Sequence, residues 1–189
     1  MSEYSYEITF DKQDFTNTPL LKGEYENCQF IGCNFSGLNL SDYKFIDCSF
    51  KECNLSLVKL AKASFRDAVF LSCKMLGMRF DTCNTLGLSF KMQECQLNHS
   101  SFYKLNLKKM TFHQCQLQEV DFTEADLTQS VWDNCDLLNA TFDQTNLEKA
   151  DFRTAYNFRI DPERNRLKKA IFSPDGLRGL LEKYDLVIR

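Results

Sequence analysis

Nine cysteines, two histidines and a dense run of carboxylates are the residues of this 189-residue chain that could do chemistry. Cysteines and histidines in fours could hold a zinc ion, and cysteine pairs could close disulfides. Spacing decides among these uses. Cys28, Cys33, Cys48, Cys53, Cys73, Cys83, Cys95, Cys115 and Cys135 each stand two residues before a large apolar residue, or before Thr85, where that residue is missing. The chain has no CxxC pair, and His99 and His113 fall at other places in the pattern. No nucleophile–histidine–acid set and no phosphate-binding glycine loop is present. Catalysis, a metal and a cofactor are therefore not expected.

The apolar residues that order the cysteines recur every fifth position. From Phe15 the series runs through Leu20, Tyr25, Phe30, Phe35 and Leu40 to Phe80, misses at Thr85 and returns at Phe90. It slips by two residues across Lys91 to Glu94, resumes at Leu97 and continues from Phe102 to Phe152. A period of five matches neither a helix nor an ordinary strand. It is the mark of a solenoid. Between Cys28 and Phe152 no charge occupies the central position or the one two places before it. An unpaired charge in a dry interior is too costly, so these two positions face inward and the other three face water.

Four such quintets make one square coil of about twenty residues, and stacked coils lie roughly 4.8 Å apart. Phe15 to Phe152 supplies about seven coils, a rod on the order of 34 Å long. The expected fold is all-β, a quadrilateral parallel β-helix whose only open edges are its two ends. Residues 1–157 form the rod, with 1–14 as an N-terminal cap and a bulge at 91–94. Cys33, Cys53, Cys73, Cys95, Cys115 and Cys135 then share one wall in successive coils. Reduced cysteine acting as a small hydrophobe is the leading reading of this ladder, ahead of coil-to-coil disulfides and of a metal column.

Residues 158–189 read as a separate C-terminal module. Ser173-Pro174-Asp175 opens a helix, with Leu177, Leu180, Leu181 and Tyr184 on one side of it. Leu186-Val187-Ile188 reads as a short strand. The chain has no apolar run long enough for a membrane span and no secretory leader, which points to the cytoplasm.

Segments such as Ala125-Asp126-Leu127, Thr145-Asn146-Leu147 and Ala150-Asp151-Phe152 resemble the ideal A-(D/N)-L-x-x repeat of the pentapeptide-repeat proteins. That resemblance implies a right-handed coil. The block from Ile160 to Ile188, and Phe10 to Phe15 at the start, resemble one branch of that family. The branch holds the quinolone-resistance (Qnr, MfpA) proteins and the McbG-type microcin immunity proteins. By that resemblance the C-terminal module joins two rods end to end as a homodimer, through Leu177, Leu180, Leu181, Tyr184, Val187 and Ile188.

Charge is sorted along the chain. Residues 1–43 carry a net −5, residues 44–109 a net +6, residues 110–152 a net −8 and the remainder +4. The acidic zone holds Glu119, Asp121, Glu124, Asp126, Asp133, Asp136, Asp143, Glu148 and Asp151 against Lys149 alone. Its charge density is of the order of duplex DNA, about one charge per 1.7 Å. The resemblance implies a DNA mimic that occupies the DNA-binding surface of gyrase or topoisomerase IV and counters a quinolone or peptide-toxin poison. The alternative is a scaffold for a different protein partner. Direct nucleic-acid binding is not expected.

Overall fold

The computed structural model describes residues 3–187. The chain is a parallel β-solenoid, with about seven coils between Phe15 and Phe152 and one short C-terminal helix. One wall carries β1 (Glu3–Tyr6), β3 (Gly23–Glu26), β5 (Lys44–Ile46) and β7 (Ser64–Arg66). The next carries β2 (Thr9–Asp11), β4 (Gln29–Ile31), β6 (Ser49–Lys51), β8 (Ala68–Leu71), β9 (Phe90–Gln93), β10 (Thr111–His113) and β11 (Val131–Asp133). Every pairing is parallel and joins consecutive coils, as in Phe10↔Phe30 and Phe112↔Trp132. The other two walls are held by isolated parallel bridges such as Asn34↔Asn54 and Ser101↔Asp121.

The central residues of each quintet fill the rod. Phe10, Phe30, Phe50 and Phe70 stack at 4.8–5.0 Å between ring centroids, their planes within 16° of parallel. That distance is the coil spacing itself, so each ring rests on the one below while meeting its in-coil neighbours edge-on. Trp132 continues the column between Phe112 and Phe152. The turn between walls is set locally. Its corner residue adopts a left-handed conformation at Asp42, Lys62, Glu119 and many equivalent places, with φ of 63°, 59° and 57° at these three.

All nine cysteines are buried and free. They do more than fill space. The Cys135 thiol lies 3.3 Å from the Phe112 carbonyl oxygen and donates to it, and Cys53 and Cys73 repeat this on Phe30 and Phe50. Where the same inward position holds a hydroxyl, the bond is kept: Thr145 Oγ1 donates to the Phe122 carbonyl at 2.9 Å and Ser100 Oγ to that of Met75 at 3.0 Å. Cys135→Ser should therefore change stability by no more than about 1 kcal/mol. Cys135→Leu, which loses the donor and overfills the site, should cost about 1–3 kcal/mol. Urea denaturation of the two variants separates them; equal losses would reduce the thiol to a spacer.

Three boundaries differ from the sequence expectation. The extra two residues do not lie at 91–94, of which 91–93 sit in the regular strand β9 and Glu94 forms the ordinary left-handed corner after it. Asn84 N still bonds the Ala63 oxygen in the ordinary register, whereas Ala68 already faces Phe90 and Phe70 faces Met92. The insertion is therefore at 85–89, Phe90 stands on the inward position before the centre, and Met92 is the centre. Phe90 and Met92 are both apolar and two apart, so spacing alone could not choose between them.

At the N-terminus, β1 and β2 pair in register with β3 and β4, so residues 3–11 belong to a coil and are no separate cap. Gly23 permits this, because a Cβ there would lie 2.1 Å from the Glu3 carbonyl oxygen. At the other end the coil does not stop at 157. Asn146↔Arg166 and Asp151↔Ile171 extend it, and Phe172 stacks on Phe152 at 5.2 Å. Asn157 and Pro162 stand where two apolar centres should be, which hides this last coil in the sequence.

The helical segment follows, as 3-10 turns at Asp175–Leu177 and Glu182–Tyr184 around α1 (Arg178–Leu181). Gly176 N donates to Ser173 Oγ at 3.1 Å, the expected N-terminal cap. Leu186 and Val187 form no strand; Ile188 lies outside the described residues. Among the described residues no helix is long and apolar enough to cross a membrane.

Candidate partner-binding surfaces

The acids of the zone from 110 to 152 occupy two kinds of place. Asp121, Asp126, Asp136 and Asp151 precede a central residue, and each carboxylate accepts the backbone N–H two residues on, at 2.9–3.2 Å. Asn146 does the same for Glu148 N. These side chains lock the turn, the reason Asp and Asn recur in the repeat. Burial alone would raise the Asp126 carboxyl, but the hydroxyl and amide of Thr128 and the Lys108 ammonium outweigh it and hold it below its ordinary value. The Arg153 guanidinium, gripping both oxygens, does the same for Asp151.

Glu119, Glu124, Asp133 and Glu148 point outward with no turn bond to their own quintet, and Asp143, also without one, turns its Oδ1 inward, where it is buried and unpaired among the described residues. Most of them meet a base. Glu119 faces His99 at 3.2 Å, Glu124 faces Lys104 at 3.3 Å, Asp133 faces His113 at 2.6 Å and Asp143 faces Arg164 at 2.7 Å. Asp126 adds a pair with Lys108 at 3.3 Å, and Asp136, nearly buried, takes hydrogen bonds from Gln118 and Asn157. The basic coil below and the basic tail above thus reach into the acidic sleeve. Such exposed pairs add little stability, but they lower the free negative field that the residue count implied. The partners lie about 20 residues apart, so charges compared at that offset in the sequence would have found them. The carboxylates remain spread over all four walls.

The residues expected to join two rods divide. Leu177, Tyr184 and Val187 are exposed, as is Leu186 beside them. Leu180 turns inward and packs on the chain's own core, and Leu181 is half-buried against a 590 Å³ cleft that Leu138, Tyr156 and Phe158 also line. The helix therefore caps its own rod with Leu180, partly shelters Leu181 and leaves Leu177 and Tyr184 uncovered. Ile188, the sixth residue, lies outside the described residues.

Among the described residues no cluster of His, Cys, Asp and Glu could hold a metal ion. Burial pushes the Cys48 and Cys83 thiols up to about 12. Cys95 and Cys115 reach the same value, each chiefly through the next thiol along the ladder and also through burial. Thiols held neutral in this way are poor nucleophiles and poor ligands.

The pentapeptide repeat region family matches residues 24–94 and 79–152, most of the rod. The chain belongs to the pentapeptide-repeat family. No curated protein matches it in sequence. Among solved structures it is similar to full-length QnrB1, a plasmid-mediated fluoroquinolone resistance protein, at 16% identity and a TM-score of 0.58, over 97% of this chain and 100% of that one. It is equally similar to HetL, a pentapeptide repeat protein involved in heterocyst differentiation regulation from the cyanobacterium Nostoc sp. strain PCC 7120. That match has 15% identity and a TM-score of 0.59, covering 92% of this chain and 85% of HetL. At these identities the likeness establishes the shared fold.

Proposed function

We propose that this pentapeptide-repeat protein acts without catalysis, as a homodimer joined through its C-terminal segments. In this reading it binds a type II topoisomerase, DNA gyrase or topoisomerase IV, and protects it from a quinolone or a peptide-toxin poison. One observation carries the reading: a sleeve of carboxylates stands one coil away from an end whose Leu177, Tyr184, Leu186 and Val187 are uncovered. Joining two such ends would place two acidic zones on either side of one centre, a rod with the charge sign of duplex DNA. The name of QnrB1, a fluoroquinolone resistance protein, accords with it.

The test is a gyrase supercoiling assay with and without ciprofloxacin. Micromolar protein should restore supercoiling in the presence of the drug, and no relief would sink the reading. The informative variant is Glu119→Lys/Glu124→Lys/Glu148→Lys, because these side chains make no turn bond and lysine already occupies the equivalent places, Lys104 and Lys109 at the corner and Lys108 just before it. At least about ten-fold more of it should be needed for equal protection, with the melting temperature unchanged. Asp126 and Asp136 are unsuitable, since reversing them would also break turns.

The paired state of most of the acids favours a second reading, a scaffold for a different protein. Recovery of a non-topoisomerase partner by the wild type and the triple variant alike would select it.

A further inference from the structure

The two-residue insertion opens the rod's wall. Along the first wall the buried centres run Tyr25, Phe45 and Phe65, and the next coil offers only exposed Thr85 and Leu86 before the column resumes at Leu107. Leu86 is 73% exposed, and Leu88 covers the gap only in part. Around it Phe90, Leu107 and Met110 are 6–8% exposed, where most inward residues elsewhere are at 0–1%. A crevice of about 900 Å³ results, floored by these residues and continued outward by Val69 and Leu71.

Its rim is charged unevenly. Lys91, Lys108 and Lys109 line it on the side of the later coils, Asp47 and Asp67 on the side of the earlier ones. Asp67 is engaged by the Ser89 hydroxyl at 3.1 Å. Lys108 is shared with Asp126, while Lys91 and Lys109 have no ion pair among the described residues. The crevice sits in the band from 44 to 109 that carries +6, a band with no role in a DNA-like surface.

We propose that this crevice docks an acidic, apolar protein segment, seating a large apolar side chain on Phe90, Leu107 and Met110 while its neighbouring carboxylates meet Lys91 and Lys109. Charge complementarity selects and orients the occupant: with Lys108 held by Asp126, Lys91 and Lys109 on the side of the later coils are open to its carboxylates, which must lie on that side, away from Asp47 and Asp67. The inference is independent of the topoisomerase reading, since the surface that reading engages is basic and this crevice recognises acid.

The test uses the full chain and three fluorescein-labelled 12-residue peptides, one of alternating glutamate and phenylalanine, one with lysine for glutamate, and one with alanine for phenylalanine. Fluorescence anisotropy should show binding of the first only, weakened at least ten-fold by Lys91→Glu/Lys109→Glu at an unchanged melting temperature. In ¹⁵N correlation spectra its largest shifts should fall at Lys91, Met92 and Lys109. Absence of binding, equal binding of the lysine peptide, or shifts confined to another wall would each overturn the proposal.

Discussion

Trp132→Ala should cost about 3–5 kcal/mol, the range for emptying a fully buried aromatic site. The indole is fully buried, stacked on Phe112 at 4.7 Å and Phe152 at 5.4 Å and met edge-on by Phe122 and Phe142. Its Nε1 donates to Ser130 Oγ at 2.9 Å, so truncation also removes the donor to a buried hydroxyl. Each coil of a solenoid rests only on its neighbours, and the loss therefore acts on the coils beyond it. Residues C-terminal to 132 should become protease-sensitive at denaturant concentrations where the N-terminal coils persist. Trp132→Phe restores the ring found at Phe112 and Phe152 and should lose less than about 1.5 kcal/mol. A single transition with an unchanged midpoint for the alanine variant would show that stacking is not what holds the coils together.

Gly179→Ala should cost about 1–3 kcal/mol, as overpacking does, and release the C-terminal cap. A Cβ at 179 would lie 2.3 Å from the Phe158 carbonyl oxygen and 2.8–2.9 Å from its ring. The Gly179 carbonyl accepts from Ile160 N at 3.0 Å, so helix and coil are pinned at that same point. The surrounding contacts, Arg159 with Glu182, Lys183 with Asp161 and Glu163, and the Tyr184 hydroxyl with Glu163, depend on the approach the glycine allows. Tryptic cleavage after Arg178 and Lys183 should accelerate. If the homodimer forms through this segment, sedimentation should show its dissociation at higher protein concentration than for wild type. Unchanged protease resistance would mean that the helix can shift without loss.

Most of the interior was legible because its rule is local. An inward pair in every five residues needs no knowledge of distant contacts, and Phe15, Tyr25, Phe102 and Phe152 are buried as that rule requires. The rule fails where apolar residues are missing or duplicated. Phe90 and Met92 satisfy it equally, and Asn157 with Pro162 breaks it although the coil continues.

The chain order of its residues determined the solenoid, its four-sided coil and the buried cysteine wall, because burial and turn formation here operate within single quintets. Only the tertiary structure decided which charges are free, since a carboxylate's partner stands one coil away, as Glu124 and Lys104 do. It also decided which leucines of the last helix face inward, because the end of the rod sets the packing surface. The opening at 85–89 belongs there as well: a two-residue insertion leaves no mark in composition, yet it removes the centre between Phe65 and Leu107 from its column.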